Sequence, residues 1–122
     1  MSTIQRFKPD TRMSQAVIHG DTVYLAGQIP TSFDTDITVQ TQEVLAKIDA
    51  LMAELGGSKS DILSVQIWLA DRTDFAAMNA VWDAWIDPQN PPARATCAVI
   101  FPRQNLRIEM LVIARNPRAI TS

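Results

Sequence analysis

A chain of 122 residues, 47% hydrophobic and 20% charged, has room for one domain spanning 1–122 with a single modest core, and its composition excludes disorder, a collagen-like repeat or a coiled coil. Its 11 basic and 13 acidic residues are mixed along the chain and leave a net charge of -2, so there is no footprint for a polyanion and no nucleic acid partner is expected. Cys97 is the only cysteine and His19 the only histidine; an internal disulfide, a multi-thiolate zinc site and the usual imidazole-based nucleophile sets are therefore not expected.

The first residues lack the apolar core of a signal peptide, and no run approaches the roughly 20 apolar residues that span a bilayer, so a cytoplasmic location is expected. Alternating apolar residues at 16–19 and 23–25, separated by Gly20-Asp21, predict a hairpin. Gly27 and Pro30 end its second strand, and the small polar residues of 31–36 read as a loop in which Thr35 or Asp36 could cap a helix. From Ile37 the positions Thr41, Val44, Leu45, Ile48, Leu51, Met52 and Leu55 repeat at helical spacing until Gly56-Gly57 stops them.

Residues 62–70 alternate as a central strand, with Leu63, Val65, Ile67 and Leu69 on one face and Ser64, Gln66 and Trp68 on the other. Thr73 and Asp74 can serve free amides at the start of a second helix, whose apolar stripe is Phe75, Met78, Trp82, Trp85 and Ile86 before Pro88. After Pro91-Pro92, residues 94–101 and 106–114 read as two strands. The expected order is ββαβαββ: an α+β domain with a mixed sheet and both helices on one face. Trp68, Gln66 and parts of the last two strands would lie on the uncovered face, which predicts oligomerisation.

Arg94, entering a strand behind two prolines, is either a solvated strand-end charge or a clamp for a substrate carboxylate. Asn79, beside the buried stripe of the second helix, either braces a loop or contacts a ligand. Gly27 either permits a bend or brings bare backbone close to a ligand. Cys97 would fall on the sheet face opposite Arg94 and reads as a small core residue rather than a nucleophile. Glu109 shares a strand face with Leu111; it is either a water-activating carboxylate or, as the default, a partner of Arg103 or Arg107. His19 reads as exposed.

Four segments resemble the RidA/YjgF family in order and spacing across nearly the whole chain. They are Leu25-Ala26-Gly27-Gln28-Ile29-Pro30, Asp74-Phe75-Ala76-Ala77-Met78-Asn79, Pro92-Ala93-Arg94 and Ile108-Glu109-Met110. The resemblance implies a chorismate-mutase-like fold and a homotrimer whose sheets form a central barrel, with active sites in the clefts between subunits. It also implies hydrolysis of reactive enamines and imines, of the 2-iminobutanoate and 2-iminopropanoate type, to 2-oxo acids and ammonia, with no cofactor and no metal.

On that resemblance Arg94 would bind the substrate carboxylate, and backbone at Gly27, beside Ala26, and near Thr96 would orient the imine or water. Asn79 would support the site. The chemistry is modest: hold the carboxylate, orient the C=N carbon, deliver water. The chain departs from the family pattern at several positions. Ala26 replaces a serine, Met13 stands where a tyrosine is common, Thr96 and Cys97 displace the thiol by one residue, and Leu111 occupies the place of the glutamate that activates water. Glu109 lies about 7 Å along the strand from Leu111. Arg12 could favour a more acidic substrate or be a surface charge. The alternative to an enzyme is a non-catalytic trimer that binds small carboxylates as a sensor or enzyme partner.

Overall fold

Residues 3–119 are described by the structure, a computed structural model, and contain six strands and two α-helices in the order βββαβαββ. The elements are β1 Ile4–Pro9, β2 Ser14–His19, β3 Thr22–Leu25, α1 Ile37–Glu54, β4 Ile62–Leu69, α2 Phe75–Trp85, β5 Ala93–Ala98 and β6 Ile108–Arg115. The expected ββαβαββ order omits β1. That strand carries no apolar alternation, and every residue in it except Phe7 is exposed; the register that pairs Phe7 with Ala16 and Arg6 with Val17 holds it as an edge strand.

The sheet order is β1-β2-β3-β6-β4-β5, antiparallel except where β4 runs parallel to β5. The predicted hairpin forms as β2 and β3, with Ala16 opposite Leu25 and His19 opposite Thr22. Gly20 takes the positive φ of 64° that its tight turn requires. α1 starts on Asp36, whose Oδ1 accepts the Val39 N–H at 2.9 Å. It ends in a Schellman turn: Gly56, at φ 92°, donates to the Ala53 carbonyl at 3.0 Å, and Gly57 donates to that of Met52 at 2.9 Å.

Both helices cover the same sheet face. Val44, Leu45, Ile48 and Met52 of α1 and Met78 and Trp82 of α2 close over Val65, Ile67, Ile108, Met110 and Val112. Full burial of one such aliphatic side chain contributes about 1.5–3 kcal/mol. Two expectations at this layer are corrected. Leu63 is not in the core but 53% exposed, because the β4–β6 register shifts between Ile62 and Ser64 and turns Ile62 inward instead. The α2 start is not capped by Thr73 or Asp74: Asp74 makes no side-chain cap bond, and Asp71 instead accepts the Thr73 N–H in a short 3-10 turn.

The uncovered face carries Tyr24, 49% exposed, together with exposed Gln66 and half-buried Trp68, Glu109, Leu111 and Ile113. No helix among the described residues is long and apolar enough to cross a membrane.

Candidate functional site

β5 is the last strand of the sheet, and its register with β4 fixes where its side chains point. Arg94 lies beside Val65 and Thr96 beside Ile67, so both face the helix layer; Cys97 lies beside Trp68 on the open face. The expected opposition of Cys97 and Arg94 therefore holds. The reading of Cys97 as a core residue does not: Cys97 is exposed, because an edge strand has a neighbour on one side only.

The Arg94 guanidinium carbon stands 5.2 Å from the Trp82 ring centroid and 6.0 Å from that of Phe75. These rings sit at positions i and i+7 of α2, on one face of the helix, and Asn79 lies between them at i+4. Two aromatic faces attract the cation, each by about 0.5–1 kcal/mol at an exposed site. Arg94 has no carboxylate partner among the described residues, so its planar donors remain free for an anion. Asn79 is half-buried, and its Oδ1 is buried without a hydrogen-bond partner among the described residues. It therefore does not brace a loop through that oxygen.

A second group forms where the chain leaves β3. Ala26 N–H donates to the Gln15 carbonyl at 2.9 Å, and the Gln28 N–H and C=O pair with Met110 at 2.9 and 3.0 Å. The Gln28 side chain, 7% exposed, donates to the Ala26 carbonyl. Between these anchors Gly27 is pressed onto β6, and its N–H forms no hydrogen bond among the described residues. A Cβ at Gly27 would overlap the Glu109 carboxylate, 3.0 Å from its Cδ. The glycine is needed here for close approach.

Glu109 pairs with Trp68 across the open face, and burial pushes its carboxyl above the ordinary glutamate range. The default pairing with Arg103 or Arg107 is corrected. Arg103 stacks at 4.2 Å on the Phe33 ring, and Arg107 reaches toward Asp74 at 3.8 Å. Glu109 has no ion-pair partner among the described residues. Arg12 is exposed in the β1–β2 turn, where its N–H donates to Asp10; that turn lies at the Gly27 end of the sheet, since Ala26 bonds to Gln15. His19 is exposed, as expected.

Arg94, Thr96 and Asn79 thus share one edge of the domain, on the helix side. Ala26, Gly27 and Glu109 lie on or beside the open face, two strands away. One chain does not bring the two groups together. Three further features were not singled out from the sequence. Gln40, fully buried, donates to the Asn105 carbonyl and accepts the Arg107 N–H, each at 2.9 Å, pinning the β5–β6 loop to α1. Gln28 locks the turn that carries Gly27. A pocket of about 450 Å³ lies along β5, lined by Leu69, Arg72, Thr73, Phe75, Thr96, Cys97 and Ala98. A polar residue on the apolar stripe of α1 was the available signal for Gln40; the pocket, assembled from three segments, had none.

A family model described as Endoribonuclease L-PSP matches residues 3–116. A RutC family protein of Haemophilus influenzae is 42% identical over 113 residues, covering 92% of this chain and 97% of that protein. The RutC family protein YoaB of Escherichia coli K12 is 40% identical, with the same coverage. Among solved structures, a member of the YjgF protein family from Neisseria meningitidis superposes with a TM-score of 0.89 at 35% identity, over 98% of both chains. Sequence and fold agree from end to end, and the chain belongs to the RidA/YjgF family.

Proposed function

We propose that this chain hydrolyses reactive 2-imino acids and their enamine tautomers to 2-oxo acids and ammonia, with Arg94 holding the substrate carboxylate at a boundary between protomers of a homotrimer. The observation that carries this reading is a guanidinium seated over the Trp82 and Phe75 rings with no carboxylate partner among the described residues. A substrate carboxylate would engage it through two parallel hydrogen bonds. Membership of the family supports a deaminase-type or small-molecule-binding role.

In the reaction the oxygen of water adds to C2 of the iminium, the C–N bond then breaks, and nitrogen leaves as ammonia while the carbonyl forms. The iminium carbon is already electrophilic, so the site needs to orient rather than to activate the substrate. The Gly27 N–H, unpaired among the described residues, is suited to hold the water or the developing carbonyl oxygen. Leu111 can carry no proton. We assign the role of taking one from water to Glu109, whose half-burial and lack of an ion-pair partner among the described residues support it. Arg94 and the Gly27–Glu109 pair face opposite sides of the sheet within a chain, so a site that uses both draws them from two protomers. Cover for Tyr24, Trp68, Leu111 and Ile113 on the open face supports the same assembly.

The test is ammonia release from freshly generated 2-iminopropionate. The wild-type protein accelerates it and Arg94→Ala, folded by circular dichroism, does not. No acceleration over buffer with any of several imino acids removes the reading. Leu111 and Ala26 favour one second reading, a non-catalytic trimer that binds small carboxylates, which calorimetric binding of 2-oxo acids without turnover would establish. RNA cleavage, the activity in the family model's name, finds little support in 13 acidic against 11 basic residues; cleavage that vanishes on further purification would dispose of it.

A further inference from the structure

The pocket along β5 is unassigned by the reading above. Arg94, Thr96 and Ala98 project from the same face of β5 because their β4 neighbours Val65, Ile67 and Leu69 all face the helix layer. Arg94 stands at the head of this row, while Thr96 and Ala98 line the pocket with Leu69. Phe75 belongs to both places: its ring lies under the Arg94 guanidinium, and it lines the pocket. An acid clamped by Arg94 therefore has the pocket next to it, with Phe75 common to both.

The lining shows what this space would accept. Leu69, Phe75 and Ala98 are apolar, and Ala98 leaves room that a larger side chain would fill. Thr73 is not a free donor, since its hydroxyl donates to Asp71 at 2.7 Å. Arg72 is exposed, at the rim, where its aliphatic stem can add apolar wall while its charge stays in water. A volume of about 450 Å³ lies within the roughly 300–1,000 Å³ typical of small-molecule pockets. The methyl group of 2-iminopropionate would leave most of it empty.

We infer that this pocket receives the substrate's side chain, and that the chain prefers 2-imino acids with a branched aliphatic or benzyl side chain to 2-iminopropionate. The inference rests on the proposed deaminase reading for its chemistry, and its test separates the two. Ala98, exposed on the pocket wall, is the position at which a larger side chain narrows the space, and Phe75 is the wall that joins the side-chain pocket to the carboxylate clamp.

Imines generated in situ by an amino-acid oxidase from alanine, leucine, phenylalanine and glutamate would be compared by the rate of ammonia release above buffer. The leucine- and phenylalanine-derived imines are expected to show kcat/KM about tenfold or more above the alanine-derived one, as expected for extra carbons in an apolar pocket. Ala98→Leu should pull that ratio down toward one. Ala98→Val, the milder change, should lower it part of the way, so the trend can be read even if the larger variant folds poorly. Equal rates for all the imines, or an unaltered ratio in both variants, overturn the inference and leave the deaminase reading standing. A preference for the glutamate-derived diacid also overturns it, since Arg72 would then be reading the side chain. If no imine is accelerated, the deaminase reading fails, and calorimetry decides on the pocket alone. 4-Methyl-2-oxopentanoate should bind about tenfold or more tighter than pyruvate, and equal affinities or no binding end the proposal.

Discussion

Replacing Gly27 by alanine separates the stability of the fold from the work of its open face. Gly27 does not have a positive φ, so alanine can adopt its backbone conformation and even gains about 0.4–1 kcal/mol from a less flexible unfolded chain. The conflict is local. The new Cβ would overlap the Glu109 Oε2 outright and stand 3.0 Å from its Cδ, whereas nonbonded carbon atoms rest at about 3.5–4.0 Å. The carboxylate must therefore swing away by more than about 1 Å, and a glutamate side chain can do this by rotation at a cost of about 0.5–1.5 kcal/mol. Gain and cost nearly cancel, and the urea midpoint should move by no more than the equivalent of about 1 kcal/mol. A displacement of about 1 Å in a reacting group, by contrast, can cost about 100-fold in rate. Gly27→Ala is expected to unfold like the wild type while its kcat for 2-iminopropionate falls by about tenfold to 100-fold, read by ammonia release beside a urea titration. Unchanged kcat with unchanged stability would refute the placement of Glu109 and the Gly27 backbone in the site.

Arg94→Lys keeps the charge but loses the planar fork, and two charge-assisted hydrogen bonds at about 1.5–3 kcal/mol each put the loss in kcat/KM at roughly 100-fold or more; a lysine variant at wild-type rate would mean that a point charge suffices. Burial raises the Glu109 carboxyl, so its ionisation weakens the fold as pH climbs past the ordinary glutamate value through the raised one, and below both values this penalty is absent. Glu109→Gln should therefore be the more stable form at pH 7, with its advantage over wild type fading in acid, and its activity should be lost at both; equal thermal midpoints at every pH would contradict the burial argument. Gln40→Ala removes two 2.9 Å hydrogen bonds and leaves the Arg107 N–H and the Asn105 carbonyl unmatched. At about 1–3 kcal/mol each, the variant should lose roughly 2–6 kcal/mol in a urea titration, and a loss below about 1 kcal/mol would show that water replaces the amide.

The parts of the fold legible in the sequence were those in which one local pattern decides the structure. Residues 16–25 announce a hairpin because alternation and Gly20 agree, and α1 because its apolar spacing is bracketed by Asp36 and Gly56. β1 was not legible, because a strand on the sheet edge, with all but Phe7 exposed, needs no apolar pattern. The inward turn of Ile62 in place of Leu63 depends on a register shift set by pairing with β6, which strict alternation cannot anticipate. At the site, Arg94, Gly27 and Asn79 stood out through prolines, a strand end and a polar residue on an apolar stripe. The two rings under Arg94 and the contact of Gly27 with Glu109 arise between elements distant in the chain. That Glu109 has no ion-pair partner among the described residues is likewise a matter of where Arg103 and Arg107 go instead, to Phe33 and Asp74.

The central claim is that one guanidinium grips a small acid where two protomers meet. A crystal soaked with pyruvate tests it most directly. The pyruvate carboxylate should accept two hydrogen bonds from Arg94 of one protomer, with its C2 carbon facing Gly27 and Glu109 of the next. Pyruvate bound elsewhere, or an Arg94 side chain open to solvent in a monomeric protein, would contradict it.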